Sequence, residues 1–402
     1  MDRQIYKRIA LKRLSFSFLI AFIYILGSKI LLPGINMNSL NLSSSLSFAM
    51  SMTGMSIDKL SLFSLGMGPW MSTIILWRVV GLIKFLNVES LTKQQTHIIR
   101  ISISALLGGI QSYMIISQVK TLDGTISPLV LGMLLLTGAI VLVWLGDMNK
   151  QFGVGGPMVI ILVAIIKTMI SRVGQGVLLQ TYSALTPIII LAFVALMLWA
   201  SFLSFRFFQG ERRLPFMHVM LDNRMIAESY YPLPVNPAGG LPFMYSFSVV
   251  LFPQYLISAL LYFQPNNKIL MGIYQNIKLT ELPGVLLLIL CVILLNYGFA
   301  YVNVDYKNIA DNLQKNGDYF LNVYPGKNTE KFLFDIITRM ATVSGIISIL
   351  MVGAPMLCSI FWPGLSTWAY IIPTWMILLT LMDKIREEFL SIYNRNNYQT
   401  LF

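Results

Sequence analysis

Ten apolar runs, separated by short polar connections, leave this chain few ways to fold. They cover residues 14–32, 60–83, 98–116, 129–145, 157–170, 185–205, 241–263, 282–302, 334–357 and 367–382. A membrane-crossing helix needs about 17–25 mostly apolar residues, because backbone N–H and C=O groups in hydrocarbon must pair within the segment. The fifth and tenth runs are the shortest. With 56% of its 402 residues hydrophobic and only 11% charged, the chain has too little polar surface to cover a soluble core of that size. The expected fold is therefore an all-α polytopic membrane protein with ten transmembrane helices.

The formal charge of +12 would suit a nucleic-acid binder, but its distribution points elsewhere. Placed on alternate sides of the ten runs, twenty-one basic residues fall on one side, beginning with Arg3, Lys7, Arg8, Lys12 and Arg13. Seven fall on the other: Lys29, Lys59, Lys120, Lys167, Arg172, Lys268 and Lys278. Arg78 lies near a helix end. Cytoplasmic loops carry such an excess, which places both termini in the cytoplasm of a cell whose plasma membrane the chain spans. No nucleic-acid partner is expected. The first run is followed by Leu32-Pro33-Gly34 rather than a small-residue cleavage site, so it reads as a retained helix.

Residues that would carry catalysis are missing from the pattern. Gly326-Lys327 lacks the upstream glycine of a phosphate loop. The two histidines, His97 and His218, fall in polar connections, and Cys291 and Cys358 lie inside apolar runs without metal-ligand spacing. The chain is not expected to be an enzyme, to bind a metal or to hold a cofactor.

Residues 38–59 are too polar to span and too apolar to be freely solvated. Two readings stay open: a short amphipathic helix inside a water-filled vestibule, or an interfacial helix on the outer leaflet.

Several ordered blocks then carry a family resemblance. The first is Arg212-Arg213 before Pro215, then Asn236-x-Ala238-Gly239-x-x-Pro242, then an apolar helix closed by Phe252-Pro253. Phe63-Ser-Leu-Gly66-Met-Gly-Pro69-Trp-Met-Ser72 is a second block, and Trp144-Leu-Gly-Asp147 with Phe152-Gly-Val-Gly155-Gly a third. The others are Tyr301-Val-Asn303, Ile309-Ala-Asp-Asn-Leu-Gln-Lys315-Asn-Gly317 and Pro325-Gly-Lys-Asn-Thr-Glu-Lys331. Together they resemble the SecY family of protein-conducting channels from about Phe18 to Asp383.

That resemblance implies a SecY/Sec61α-like clamshell of two inverted five-helix halves. The N-terminal half is 1–175, with a plug at about 38–59; the C-terminal half is 176–402, with large cytosolic loops at 206–240 and 303–333. It implies a pore ring at Met67, Met71, Met158, Leu162, Met244 and Met376, from spans 2, 5, 7 and 10. Methionines would make this ring a softer gasket than isoleucines, although a chain with 23 methionines could place several there by composition alone. The lateral gate between spans 2–3 and 7–8 would carry Ser72, Thr73, Gln111, Ser246, Ser248 and Asn296. Weak hydrogen bonds between helices there could part for a signal helix.

A channel of this kind has no engine of its own. The resemblance implies a SecA-type ATPase docking on Arg212, Arg213, Arg224, Tyr324, Lys327 and Lys331, with Asn328-Thr329 capping the ninth span. Tyr324 stands where the family usually has arginine before Pro-Gly-Lys, the loops are short, and Arg78 replaces a typical glutamine. These departures make the chain most like the accessory Sec branch of Gram-positive bacteria. That branch exports serine-rich, glycosylated adhesin preproteins with its own SecA paralogue and accessory Sec proteins, and a SecE-like small subunit is a further candidate partner. The alternatives are a general SecY channel of the housekeeping pathway and, from another class, a secondary transporter. The span-end positions of Lys29, Arg78, Asp147 and Lys167 weigh against the transporter. A membrane scaffold would leave the plug-like segment without a role.

Overall fold

The apolar runs become helices in a computed structural model that describes residues 2–34, 50, 54–55, 60–82, 91–117, 127–179, 191, 195, 198–199, 201–203, 206–218, 230–264, 267–361 and 366–394. The N-terminal elements are α1 (Asp2–Gly27), α2 (Gly68–Leu82), α3 (Lys93–Ser117), α4 (Pro128–Phe152) and α5 (Met158–Leu179). At the sixth run the described residues 191, 195, 198–199 and 201–203 are helical. Strands β1 (Glu211–His218) and β2 (Tyr230–Pro234) come next, then α6 (Leu241–Phe263), α7 (Lys268–Asn276), α8 (Leu282–Asn303) and α9 (Tyr306–Asn316). After β3 (Asp318–Phe320), α10 (Lys327–Ser348) runs through a π-helical turn at Ile349–Gly353 into α11 (Ala354–Phe361), and α12 (Ser366–Tyr393) closes the described chain.

Among the described residues, five helical stretches are long and apolar enough to cross a membrane: Lys7–Gly27, Lys93–Ile116, Pro128–Phe152, Leu282–Asn316 and Lys327–Phe361. Their ends follow local chemistry. Thr92 and Gln95 form a reciprocal capping box at the start of α3, with side-chain bonds of 3.1 and 3.3 Å. Asn267 caps α7 by accepting from Ile269 N–H, and Gly317 ends α9 in the left-handed region at φ 76°.

Several boundaries differ from the sequence expectation. Residues 60–67 are turn rather than helix, held to the end of α1 by Leu32 N–H donating to Leu60 C=O and Leu62 N–H to Ile30 C=O. Pro253 lies inside α6 rather than closing it, because the surrounding run is apolar enough to continue past the lost donor. The tenth run does not stop at Met382: α12 continues as a more polar helix to Tyr393. His97 sits in the first turns of α3 instead of a loop. Asn328 and Thr329 do not cap α10; the N-cap is Gly326, and the Thr329 hydroxyl turns back to donate to Tyr324 C=O at 3.1 Å. Most of the plug expectation at 38–59 lies outside the described residues.

The elements pack as two sets that meet at two places. α3 lies against α2 and α4, and α1 against α4 and α5, while α8 joins α6 to α10. The sets touch where α2 and α3 meet α6, and again where α12 meets α5 and α1.

Candidate functional site

The first meeting place is built around the turn before α2. Gly66 has φ +52°, and a Cβ there would run into the Gly54 carbonyl, so glycine is required on both counts. Gly68 likewise leaves space for the Met55 side chain. Met50, Met55 and Leu60 are buried, Gly54 packs on Ile161 of α5, and the Tyr255 hydroxyl of α6 lies 3.6 Å from Met55 Sδ. The described ends of the half-apolar segment are thus wedged among α2, α5 and α6.

Of the six expected ring residues, Met67, Met71 and Met244 are buried in this same core, and Met376 is buried in α12. Met67 immediately precedes α2, and its terminal methyl lies beside Gly146 of α4. Met158, at the start of α5, is half-buried against the core. Leu162 is also half-buried but lines an apolar groove with Phe18 of α1 and Met382, Ile385 and Phe389 of α12, whereas Ile161, one position earlier, faces Gly54. The structure therefore brings three methionines, Met67, Met71 and Met244, into one core and turns Leu162 toward the second meeting place.

The polar residues expected at the gate divide by partner. Ser72 and Thr73 donate to the Gly68 and Pro69 carbonyls of their own helix at 3.1 and 2.8 Å, and Ser246 donates to Phe243 C=O at 2.7 Å. Gln111 Oε1 and Ser248 Oγ are buried with no hydrogen-bond partner among the described residues. A cavity of about 120 Å³ separates α2 from α6, lined by Ser72, Ile75, Leu76, Ser248, Val249 and Phe252. Asn296 is not at this seam: its amide donates to Ala341 C=O at 2.7 Å and accepts from Ser344 at 3.2 Å, tying α8 to α10.

The second meeting place went unnoticed in the sequence. Asn149 of α4, fully buried, accepts from Ser17 of α1 at 2.8 Å and donates to the Val154 and Gly156 carbonyls at 3.0 and 2.7 Å. Val154 N–H returns a bond to Ser17 Oγ at 2.8 Å. Gly155 N–H, in the same α4–α5 turn, donates to Glu388 of α12 at 2.9 Å. A serine inside the first apolar run and an asparagine just past the fourth were the available signal, and nothing in the pattern paired them.

Beyond α6 the two large polar connections are one structure. β1 pairs antiparallel with β2, from Glu211↔Pro234 to Pro215↔Tyr230, and with β3 from Phe216↔Phe320 to His218↔Asp318. Arg212 and Arg213 are exposed on β1, with the Arg213 guanidinium 4.6 Å from the Tyr230 ring. Burial raises the Tyr231 phenol above its ordinary range. Tyr324 is 80% exposed beside exposed Lys327 and Lys331 and lines a hollow of about 540 Å³ with Tyr319, Phe320, Asn322, Val323 and Pro325. Arg224 lies outside the described residues.

The Asn-x-Ala-Gly-x-x-Pro block explains itself in the turn that joins sheet to membrane helix. Asn236 exchanges two 3.1 Å bonds with Gly239, which sits at φ +68°; Ala238 is buried, and Pro242 lies in the first turn of α6. Asn303 at the end of α8 donates to the Pro237 and Ala238 carbonyls, and Thr380 of α12 crosses directly on Gly240.

A helical bundle with a wedged segment, a seam between two sets and a sheet at one end defines a protein-conducting channel fold, and comparison with known proteins agrees. The SecY family profile matches residues 61–381, and the chain belongs to the SecY family. It is 32% identical to the accessory Sec system protein translocase subunit SecY2 of Leuconostoc gelidum subsp. gasicomitatum, over 98% of this chain and 97% of that one. It is 29% identical to the protein of the same name from Streptococcus gordonii over the whole of both, and 31% identical to that of Streptococcus pneumoniae serotype 4 over 99% of each. In fold it is similar to a solved protein-conducting channel (TM-score 0.61, 15% identity, covering 94% of this chain and 92% of that one). A canine Sec61 channel bound to the ribosome is similar too (TM-score 0.59, 14% identity, 94% and 92%).

Proposed function

We infer that this chain is the channel subunit of an accessory Sec translocase, passing unfolded preproteins across the plasma membrane. The full-length likeness to accessory Sec relatives carries the assignment to that system. The buried α2–α6 seam, with Met50 and Met55 wedged beside it, carries the channel reading.

In this reading the ten apolar runs are ten spans in two inverted halves, 1–175 and 176–402, with both termini cytoplasmic. Met67, Met71, Met244 and Met376 form the constriction together with Met158. Flexible thioethers seal against ions at rest and repack around a moving chain. Leu162 joins them only if α5 turns as the seam opens.

Ser72, Thr73, Gln111, Ser246 and Ser248 mark the lateral exit, where helices hold each other by packing and can part for a signal helix. Asn296 keeps α8 and α10 moving as one piece. The sheet offers Arg212, Arg213, Lys327 and Lys331, with Tyr324 at the tip and Arg224 nearby in sequence, to an accessory SecA-type ATPase. Accessory Sec proteins and a SecE-like small subunit complete the assembly. Serine-rich, glycosylated adhesin precursors are its cargo.

Crosslinking tests the reading. A glycosylated adhesin precursor is stalled during export and probed with cysteines placed at Met71 and Met244. Adducts at both, made with the accessory motor and not the general one, are expected. Adducts with either motor would return the chain to the general pathway, and none in an exporting system would remove these methionines from the pore.

A further inference from the structure

α7 is a nine-residue helix between two membrane-length helices, and its surroundings identify what covers it. α6 begins at the sheet and, at about 1.5 Å per residue, carries the chain some 34 Å away before α7 starts. α8 then returns to the sheet, where Asn303 bonds the Pro237 and Ala238 carbonyls. α7 therefore lies at the end of the molecule opposite the sheet, tethered on both sides to helices that enter hydrocarbon. Ile269, Met271 and Ile273 are 74, 53 and 42% exposed, and no residue of α7 is fully buried.

These side chains continue an apolar surface already present on the neighbours. Leu282, Leu286, Leu290 and Leu294 form an exposed i, i+4 stripe along α8, and Leu260 is exposed on α6. That stripe is what a bilayer covers. Exposed Lys268 starts α7, and Lys278 follows it with its ammonium 5.2 Å from the Tyr274 ring. Apolar side chains flanked by lysines and a tyrosine match the acyl boundary and the phosphates of an anionic phospholipid surface.

We propose that α7 is an interfacial anchor, seated in the leaflet opposite the sheet, that fixes the far end of α6 against the lipid. Its link to α6 is specific: buried Gln254 donates to Ile277 C=O at 2.8 Å, just past α7. The next residue on α6, Tyr255, is the one that reaches Met55. Lipid at α7 and the wedged segment at the seam thus bear on adjacent residues of one helix, so the leaflet sets where α6 rests.

The test uses the full chain, with Cys291 and Cys358 replaced by alanine, in vesicles of phosphatidylcholine with phosphatidylglycerol. Spin labels are placed singly at Ile269, Ile273 and, on the opposite face, Gln275, and collision with oxygen is compared with collision with a water-soluble nickel chelate. The oxygen-to-nickel ratio is expected to be several-fold higher at 269 and 273 than at 275, and to fall at 269 and 273 when phosphatidylglycerol is omitted. Equal nickel access at all three would put α7 in water and overturn the proposal. Shielding of 269 and 273 from both reagents would mean that protein covers them, which also overturns it. An unchanged ratio in neutral vesicles would remove the role of the lysines. The proposal rests on the membrane reading alone: labels report on the idle protein, so a failed ratio leaves the channel assignment standing, and an export-inactive chain leaves the ratio readable.

Discussion

The two places where the two sets of elements meet are held in opposite ways. At the α1–α4–α12 junction, directed bonds of 2.7–3.0 Å among Ser17, Asn149 and the Val154 and Gly156 carbonyls shape the α4–α5 turn within the first set, and that turn's Gly155 N–H donates across to Glu388 of α12. At the α2–α6 seam, among the described residues, Ser72, Thr73 and Ser246 bond within their own helices, and Ser248 Oγ and Gln111 Oε1 have no hydrogen-bond partner. In a low-dielectric interior a directed network resists separation, and an unpaired polar group gains if separation admits a partner. On the proposed function, the junction serves as the hinge and the seam as the opening. Within each set polar ties are plentiful: Arg100 lies over Trp77, His97 is 3.5 Å from Asp147, and Asn296 bonds Ala341. Rigid sets joined by a bonded hinge and a dry seam concentrate motion at the seam.

The largest effect expected on this contrast is from Gly66→Ala. Its left-handed backbone and the Gly54 carbonyl beside it leave no room for a methyl. A cost of about 3 kcal/mol follows from strain and clash together. Chemical unfolding in detergent reads the loss, and ion conductance in planar bilayers reads a leaking resting state. A variant with ordinary stability and a tight seal would show that the turn before α2 does not seat the wedge.

Asn149→Leu comes next. It fills the volume but strands the Gly156 carbonyl, while Ser17 and the Val154 carbonyl keep each other, and a buried unsatisfied group costs about 1–3 kcal/mol. About 2 kcal/mol of lost stability is expected, measured in the same way, with crosslinking between cysteines at Ser72 and Ser248 unchanged in the idle protein. Faster crosslinking there would mean that the junction also restrains the seam. Glu388→Ala removes one charge-assisted bond at an exposed position and should cost about 1 kcal/mol. Glu388→Gln, which keeps an acceptor for Gly155 N–H, should recover most of it.

How much of this the amino-acid order revealed depends on the range of the interaction. Apolar runs report a local requirement, and helices stand at them. Glycine and proline motifs report backbone geometry, so Gly66, Asn236, Gly239 and Pro242 could be singled out before their reasons were visible. Helix ends were harder: a run of apolar residues marks where hydrocarbon lies, not where hydrogen bonding stops. α12 therefore runs past Met382 on polar residues, and 60–67 forms a turn despite its hydrophobicity. The junction was illegible because Ser17 and Asn149 are 132 residues apart and Gly155 and Glu388 are 233 apart. No periodicity pairs such residues. Asn296 shows the same limit: its helix was evident, but its bonds to Ala341 and Ser344 of α10 were not.

The smallest change in stability, and the sharpest test of the contrast, belongs to Ser248→Ala. The residue is 1% exposed, its hydroxyl has no partner among the described residues, and it lines the small cavity opposite Ser72. Removing a buried unpaired hydroxyl relieves desolvation rather than breaking a bond, so stability should stay level or rise by about 0.5–1 kcal/mol. The functional sign is reversed. The open state, in which that hydroxyl can meet water or an incoming backbone, loses a partner that the closed state never had. Closed should therefore be favoured by up to about fivefold per 1 kcal/mol of differential stabilisation, with slower signal-sequence insertion read by crosslinking at the seam. Ser17→Ala at the junction should do the reverse, lowering stability while leaving insertion unchanged. If both serines lowered stability alike, the seam would hold its halves by a bond after all, and the opening would have to lie elsewhere.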